Sequence, residues 1–466
     1  MPTLTLAPAS SDADLRAIVA GSLPRIWRYL KTWQVADGRF AGLIATWWSS
    51  YIETAVPHPM NQFPIILGLL ELHEAGVAGG EWLAEARRVG DGLAASIGPD
   101  NRMENDWGDI PGNTTGPIFY TSCIRAMADL YVATREPRYL DAAMKLDALN
   151  NRWVRGDMLV GCLVSNQVLG WAWSRMCLAR ATGNDALTQQ ARRIARADLE
   201  HQIRGGPLDG GYRQGRFDDR LMTIYCGKCI QPLVEVSRAT GDRDLLEAAS
   251  RAGRYLTRQE IDPGIWINVR SPGGWWMKLM RPVTSLDRRV LRLTVPVYRL
   301  RRLKQDWQAV DYPSWYARAA DPIRALWELH LSGGIEREYP ERYARKLLAL
   351  QYPHGGFPNT AGFSGDAKRV MWQDAAPCTR WNAYVFYLLC RLARLLGVKS
   401  LDALGGVPSE WSHTLSDGCT LHETDETIEQ RRGSDICWRI IKRTGASQQV
   451  SPEFRGELTG VRCGPW

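Results

Sequence analysis

The chain lacks any apolar run of the about 20 residues that a membrane-crossing helix needs. Its opening residues, MPTLTLAPASSDADLR, hold neither a basic n-region nor an apolar core, so no signal peptide is expected. A phosphate-binding Walker loop, a dinucleotide fingerprint and a zinc-protease HExxH are also missing, and no cofactor or metal is expected. The ten cysteines (123, 162, 177, 226, 229, 378, 390, 419, 437 and 463) are scattered. Without an export signal they read as reduced thiols of a cytoplasmic protein. Cys226-x2-Cys229 lies in an apolar helical stretch with no second pair at metal spacing, and reads as two small buried hydrophobes.

Set against those absences are 466 residues, 45% hydrophobic and 23% charged, enough for a large core. The 58 Lys and Arg against 50 Asp and Glu give +8, a bias that suits an anionic substrate or an acidic surface. A solvated basic surface is the plain alternative, and no nucleic-acid partner is expected. Twenty Trp residues supply side chains that bury well and stack on flat apolar faces.

One unit organises the sequence. Gly205 to Leu256 reads as a Gly-rich loop, a helix apolar on most sides (222–240), a Gly241-Asp242 turn, and a helix with a charged stripe. In that last helix Leu245, Ala248, Ala249, Ala252, Tyr255 and Leu256 keep helical spacing, while Arg243, Glu247, Arg251 and Arg254 take the other face. An all-round apolar helix is buried and a striped one lies outside, so the unit is loop, inner helix, turn, outer helix. Inner runs begin near residues 63, 117, 164, 222, 314 and 379, each but the last followed by an outer run. The helix predicted from Asp12 to Gln34 supplies the sixth outer partner and closes a ring. The long loops all precede inner helices, so they gather at one end of the ring, where function tends to sit.

This alternation, with the turns ATGN (181–184) and ATGD (239–242), resembles the six-hairpin glycosidase superfamily, the (α/α)6 toroids of unsaturated glucuronyl hydrolases, sugar epimerases and several polysaccharide lyases. The resemblance covers roughly residues 12–400 and is architectural. It implies an all-α fold of six inner and six outer helices, with a carbohydrate site at the mouth built from acidic residues and aromatic platforms. The turns Gln34–Phe40, Gln259–Trp266 and Gln351–Phe357 also look like the Gln…Gly…aromatic repeat of squalene and hopene cyclases. That family's Asp-x-Asp-Asp is absent, with Phe217-Asp218-Asp219 the nearest match, so these turns read as structural links.

The domain reading is a toroid over 1–400, with an insertion at 268–310, and a polar C-terminal extension at 401–466 holding at most a short helix near Ile436–Ile441. The basic, aromatic stretch 275–304 reads as a lid over the mouth, as a peripheral membrane contact, or as plain packing. Oligomeric state is left open.

Hydrolysis of a glycosidic bond needs two carboxyl groups flanking it. The catalytic candidates are Asp106 and Asp109 in one mouth loop, Asp209, Asp218 and Asp219 in another, and Glu53 in the first. Trp107 and Tyr212 are candidate sugar platforms. Tyr51 and His58 beside Glu53, and His354 with Asp374 in the last loop, are candidates for proton transfer or substrate binding. Arg155, Arg216 and Arg380 can hold a carboxylate by paired hydrogen bonds. Helix capping is the plain alternative for each Asp. The reading is a glycoside hydrolase acting on an acidic or modified oligosaccharide. A polysaccharide lyase, or a non-catalytic protein that binds glycan or lipid-linked glycan, is the alternative; terpene cyclisation ranks behind these.

Overall fold

The alternation of all-round apolar and one-faced stretches becomes, in the computed structural model, a double ring of helices. The structure describes residues 12–38, 40–46, 56–57, 59–103, 117–151, 154–155, 158–159, 164–213, 221–262, 265–266, 269–270, 317–359, 377–401, 410–414, 418–424 and 426–441. Twelve α-helices lie in these segments. The inner helices are α2 (Pro59–Glu74), α4 (Pro117–Thr134), α6 (Ser165–Thr182), α8 (Thr223–Thr240), α10 (Ala320–Leu331) and α12 (Thr379–Leu395). The outer helices are α1 (Asp12–Lys31), α3 (Trp82–Ala95), α5 (Pro137–Asn151), α7 (Asp185–Asp198), α9 (Arg243–Arg258) and α11 (Glu338–Leu348). Each inner helix packs on the next, α12 packs on α2, and α1 packs on both α12 and α11. The ring is therefore closed, with the first helix as outer partner of the last inner one. This is the (α/α)6 toroid.

Burial follows the helix patterns. In α9 the six expected core residues, Leu245, Ala248, Ala249, Ala252, Tyr255 and Leu256, have no exposed surface. Arg243, Glu247 and Arg254 face solvent, but Arg251, expected among them, is buried. Its guanidinium donates to Gln202 Oε1 from Nε (3.2 Å) and Nη2 (2.8 Å).

That contact belongs to a recurring rivet where an outer helix ends. Gln202 Nε2 also donates to the carbonyls of Gly210 (3.2 Å) and of Ala248 on the next outer helix (2.8 Å). Gln351 does the same to Gly355 (2.9 Å) and to Ser22 of α1 (3.0 Å). Gln34 donates to Gly42 (2.7 Å). Gly210 and Gly355 have φ of +85° and +106°, and a Cβ would lie 2.1 Å from the Arg251 carbonyl oxygen and 2.2 Å from that of Arg25. Only glycine fits a backbone pressed this closely on a neighbouring helix. The residue two places on is then held by an inner helix through both of its peptide groups. Gln62 bonds the N–H (2.9 Å) and C=O (2.8 Å) of Ile44, and Asn382 those of Phe357 (2.7 and 3.1 Å). Cys226 Sγ faces the same two groups of Tyr212 at 3.2 and 3.5 Å. In the first turn the working residues are thus Gly42 and Ile44, not Gly38 and Phe40.

Residues 410–441 carry a four-stranded antiparallel meander: β1 (Trp411–Thr414), β2 (Thr420–Glu423), β3 (Thr427–Arg432) and β4 (Asp435–Ile441). The short helix expected near Ile436–Ile441 is a strand instead. The period of two was hidden because His422, Glu423 and Glu429 take buried places beside Leu421 and Ile428. The sheet packs on the ring through Trp411, whose indole stacks on His354 with centroids 4.3 Å apart.

Candidate functional site

The outer helices run back to the end from which the inner helices start, so all six inner helices begin at one end of the ring. Among the described residues the opposite end is tied by ion pairs. Arg391 reaches Glu328 (2.6 Å) and Glu71 (3.2 Å), and Arg394 reaches Glu71 (3.0 Å). Charges there are balanced across α2, α10 and α12.

Toward the end from which the inner helices start, on the axis, residues from the first three turns of all six inner helices line a cavity of about 70 Å³. Phe63 of α2, Arg125 of α4, Asn166 and Trp173 of α6, Lys228 of α8, Asp321 and Arg324 of α10, and Tyr384 of α12 are among its lining residues. Three of these are cations and one is a carboxylate. Asp321 pairs with Arg324 and lies 3.9 Å from Lys228 Nζ. Burial opposes ionisation of Asp321, but the charges of Arg324 and Lys228 outweigh it and hold the carboxyl below its ordinary value. Burial pulls the Lys228 ammonium from 10.5 down to about 8, against the attraction of Asp321. Pro232, one turn on, has no N–H to donate to the Lys228 carbonyl, which loosens the helix beside the cavity.

The aromatic lining orients these cations. The Arg125 guanidinium lies 3.7 Å from the centroid of Trp173 and 5.5 Å from that of Phe63. Lys228 Nζ lies 5.0 Å from Tyr384, and Arg324 stands over Tyr387 at 4.2 Å. Arg380, over Trp381 at 4.6 Å, is pulled down to about 10 by burial and adds positive charge beside Lys228. Such a constellation attracts an anion and offers rings against which a sugar can lie.

The sequence candidates divide three ways. Asp106, Asp109, Asp218, Asp219, Glu53, Trp107, Tyr51, His58, Arg216 and Asp374, and the stretch 275–304, lie outside the described residues. Of Arg155 only the backbone, in a short strand, is described. Arg380 alone is brought close to the axial cavity. Three others are placed elsewhere. Tyr212 is the buried residue of a helix-end rivet, 2% exposed, and presents no face to the cavity. Asp209 sits in that turn on the outer wall, its Oδ1 accepting from Gly205 N–H at 2.8 Å, beside a shallow depression shared with Arg258. That depression is lined by one turn, Gly205 to Asp209, and by Arg258 and Gln259 at one helix end, whereas the axial cavity gathers side chains from all six inner helices, so the candidate site is placed on the axis. His354 is buried between the ring and the sheet, with Nε2 3.1 Å from Glu423 Oε2 and Tyr29 edge-on at 4.9 Å. It joins two parts of the fold. Cys226 and Cys229 are free and wholly buried, with burial pushing the Cys226 thiol up to about 12. Among the described residues no group of His, Cys, Asp and Glu is arranged to hold a metal, and no helix is long and apolar enough to cross a membrane.

Sequence reading missed Arg125, Lys228, Asp321 and Arg324. The signal was a charge at the centre of an otherwise apolar helix, as in SCIRAMADL and TIYCGKCIQPL.

No protein-family model matches the chain, and no curated protein matches it in sequence. Solved structures match it in fold. An unsaturated glucuronyl hydrolase specific for heparin superposes with a TM-score of 0.53 at 12% identity, over 84% of this chain and 99% of its own. A sugar epimerase from a ruminal bacterium gives 0.56 at 11%, over 82% and 98%. A polysaccharide lyase gives 0.53 at 12%, over 83% and 98%. At such identities the likeness is one of fold, a toroid used by these three for three different reactions.

Proposed function

We propose that this chain is a carbohydrate-active enzyme, and that it hydrolyses a glycosidic bond in an acidic oligosaccharide bound at the open end of the toroid. The observation that carries this reading is the axial cavity, with three cations against one carboxylate beside aromatic rings. The fold of the matching hydrolase, lyase and epimerase supports it. The acid pair is proposed to come from the loops entering α4 and α8, from Asp106 or Asp109 and Asp218 or Asp219. One carboxyl protonates the leaving oxygen and the other attacks the sugar or activates water, at a separation of about 5–5.5 Å or about 6.5–9.5 Å respectively. Asp209 leaves the set because its carboxylate closes a turn.

The test is a panel of uronate-containing and neutral oligosaccharides, followed by new reducing ends and by ultraviolet absorbance. Reducing ends without absorbance support hydrolysis. Absorbance from a new double bond makes the chain a lyase, and binding without products makes it a glycan-binding protein. Asp106→Asn or Asp218→Asn is expected to lower turnover by roughly 10²–10⁴-fold with little change in melting temperature. If no Asp→Asn change in these loops slows turnover, the pair lies elsewhere, with Glu53 and His58 next.

A further inference from the structure

Resting on the saccharide reading, we infer that the axial cavity is a subsite for one anionic substituent of the substrate, a ring carboxylate, gripped by Arg125, Lys228 and Arg324. Size comes first. A cavity of about 70 Å³ exceeds the about 10–15 Å³ that one water needs, so it admits a carboxylate.

Charge comes second. Arg324 is committed to Asp321 and to Gln231, and Lys228 to Asp321. Arg125 differs. It is 6% exposed, no carboxylate among the described residues lies within ion-pair distance, and its Nε has no hydrogen-bond partner there. Asp321, Asp129 and Glu235 act on its charge only from beyond ion-pair distance, and a buried guanidinium without a direct carboxylate partner is costly. The cost is offset once an anion enters. Trp173, against the guanidinium plane, fixes the fork that a carboxylate meets with two parallel hydrogen bonds. The Asn166 amide oxygen, also buried and without a partner among the described residues, belongs to a residue lining the same space and can accept a hydrogen bond from a neighbouring sugar hydroxyl. An acceptor beside a cation cluster selects a hydroxy-acid over a bare anion. The lowered Lys228 adds a pH signature: above about 8, anion binding draws a proton onto its amine.

The experiment is calorimetric titration of the full chain at pH 7 with D-glucuronate and D-glucose, in wild type and Arg125→Gln. Expected is glucuronate binding at least about tenfold tighter than glucose, with that preference lost in Arg125→Gln and the melting temperature not lowered. Should that variant not fold, Lys228→Met carries the same expectation. Equal binding of both sugars by wild type overturns the subsite and leaves the saccharide reading intact. If neither sugar binds but sodium acetate raises the melting temperature of wild type and not of Arg125→Gln, the subsite stands and the saccharide reading falls. Unchanged preference in a destabilised Arg125→Gln makes the arginine structural and overturns the subsite.

Discussion

Lys228 illustrates how far one residue is legible before the fold is known. The sequence reads its helix as a buried inner one, but a single lysine among apolar residues does not say which side of that helix it occupies. In the closed ring it is an ammonium on the axis, held against burial. Its stability effect has a definite sign. The folded value of about 8 lies below the ordinary 10.5, so between those pH values the unfolded chain binds more protons and stability rises with pH. Below pH 8 the charge is a constant cost. Lys228→Met is therefore expected to raise unfolding free energy by up to roughly 3 kcal/mol at pH 7, less because 15% of the side chain is exposed. The gain should vanish near pH 10.5, and urea unfolding at the two pH values checks this. A gain independent of pH would mean that packing, not charge, sets it. Asp209→Asn gives a contrasting residue-scale expectation: a loss of about 0.5–1.5 kcal/mol from the turn, with turnover kept.

At the level of elements, helices were legible because their periodicity is local. The sequence starts an inner run near residue 117, and the structure begins α4 at Pro117. Other ends moved by a few residues where a helix stops short of its final turn, as at α1, predicted to Gln34 and ending at Lys31. The helix-end rivets were only half legible. A Gln followed by Gly is visible, but which glycine touches the next helix depends on a contact between distant segments. Gly355→Ala tests the rivet. A methyl 2.2 Å from a backbone oxygen at positive φ should cost at least about 2 kcal/mol, read by denaturant unfolding. A cost near zero would show that the turn can move away from α1. The sheet was missed because its inward positions mix carboxylates and imidazole with apolar side chains. Trp411→Ala should cost about 3–5 kcal/mol if its stack on His354 anchors the sheet to the ring.

For the whole molecule, six hairpins and their closure could be counted from the sequence, while the site could not. Its residues come one to three from each of six helices, and Phe63 and Tyr384, far apart in the chain, meet ring to ring at 5.4 Å. No local pattern records such a meeting. Loop carboxylates drew attention because acids before helices are visible in one dimension; the cations on the axis require the ring to be assembled first.

The closure of that ring sets a timetable for synthesis. Tyr29 of α1 hydrogen-bonds the carbonyl of Pro377, 348 residues later. A ribosome adding about 5–20 residues per second leaves α1 without its inner partner for some tens of seconds. During that interval Leu15, Val19, Leu23 and Ile26, which end with no exposed surface, are open to other chains. The molecule is clasped last by what was made first, so chaperone demand should fall on the N-terminal helix. A permutant that carries α1 at its C-terminus is expected to give a larger soluble fraction on rapid expression, and an unchanged fraction would show that the waiting helix carries no hazard.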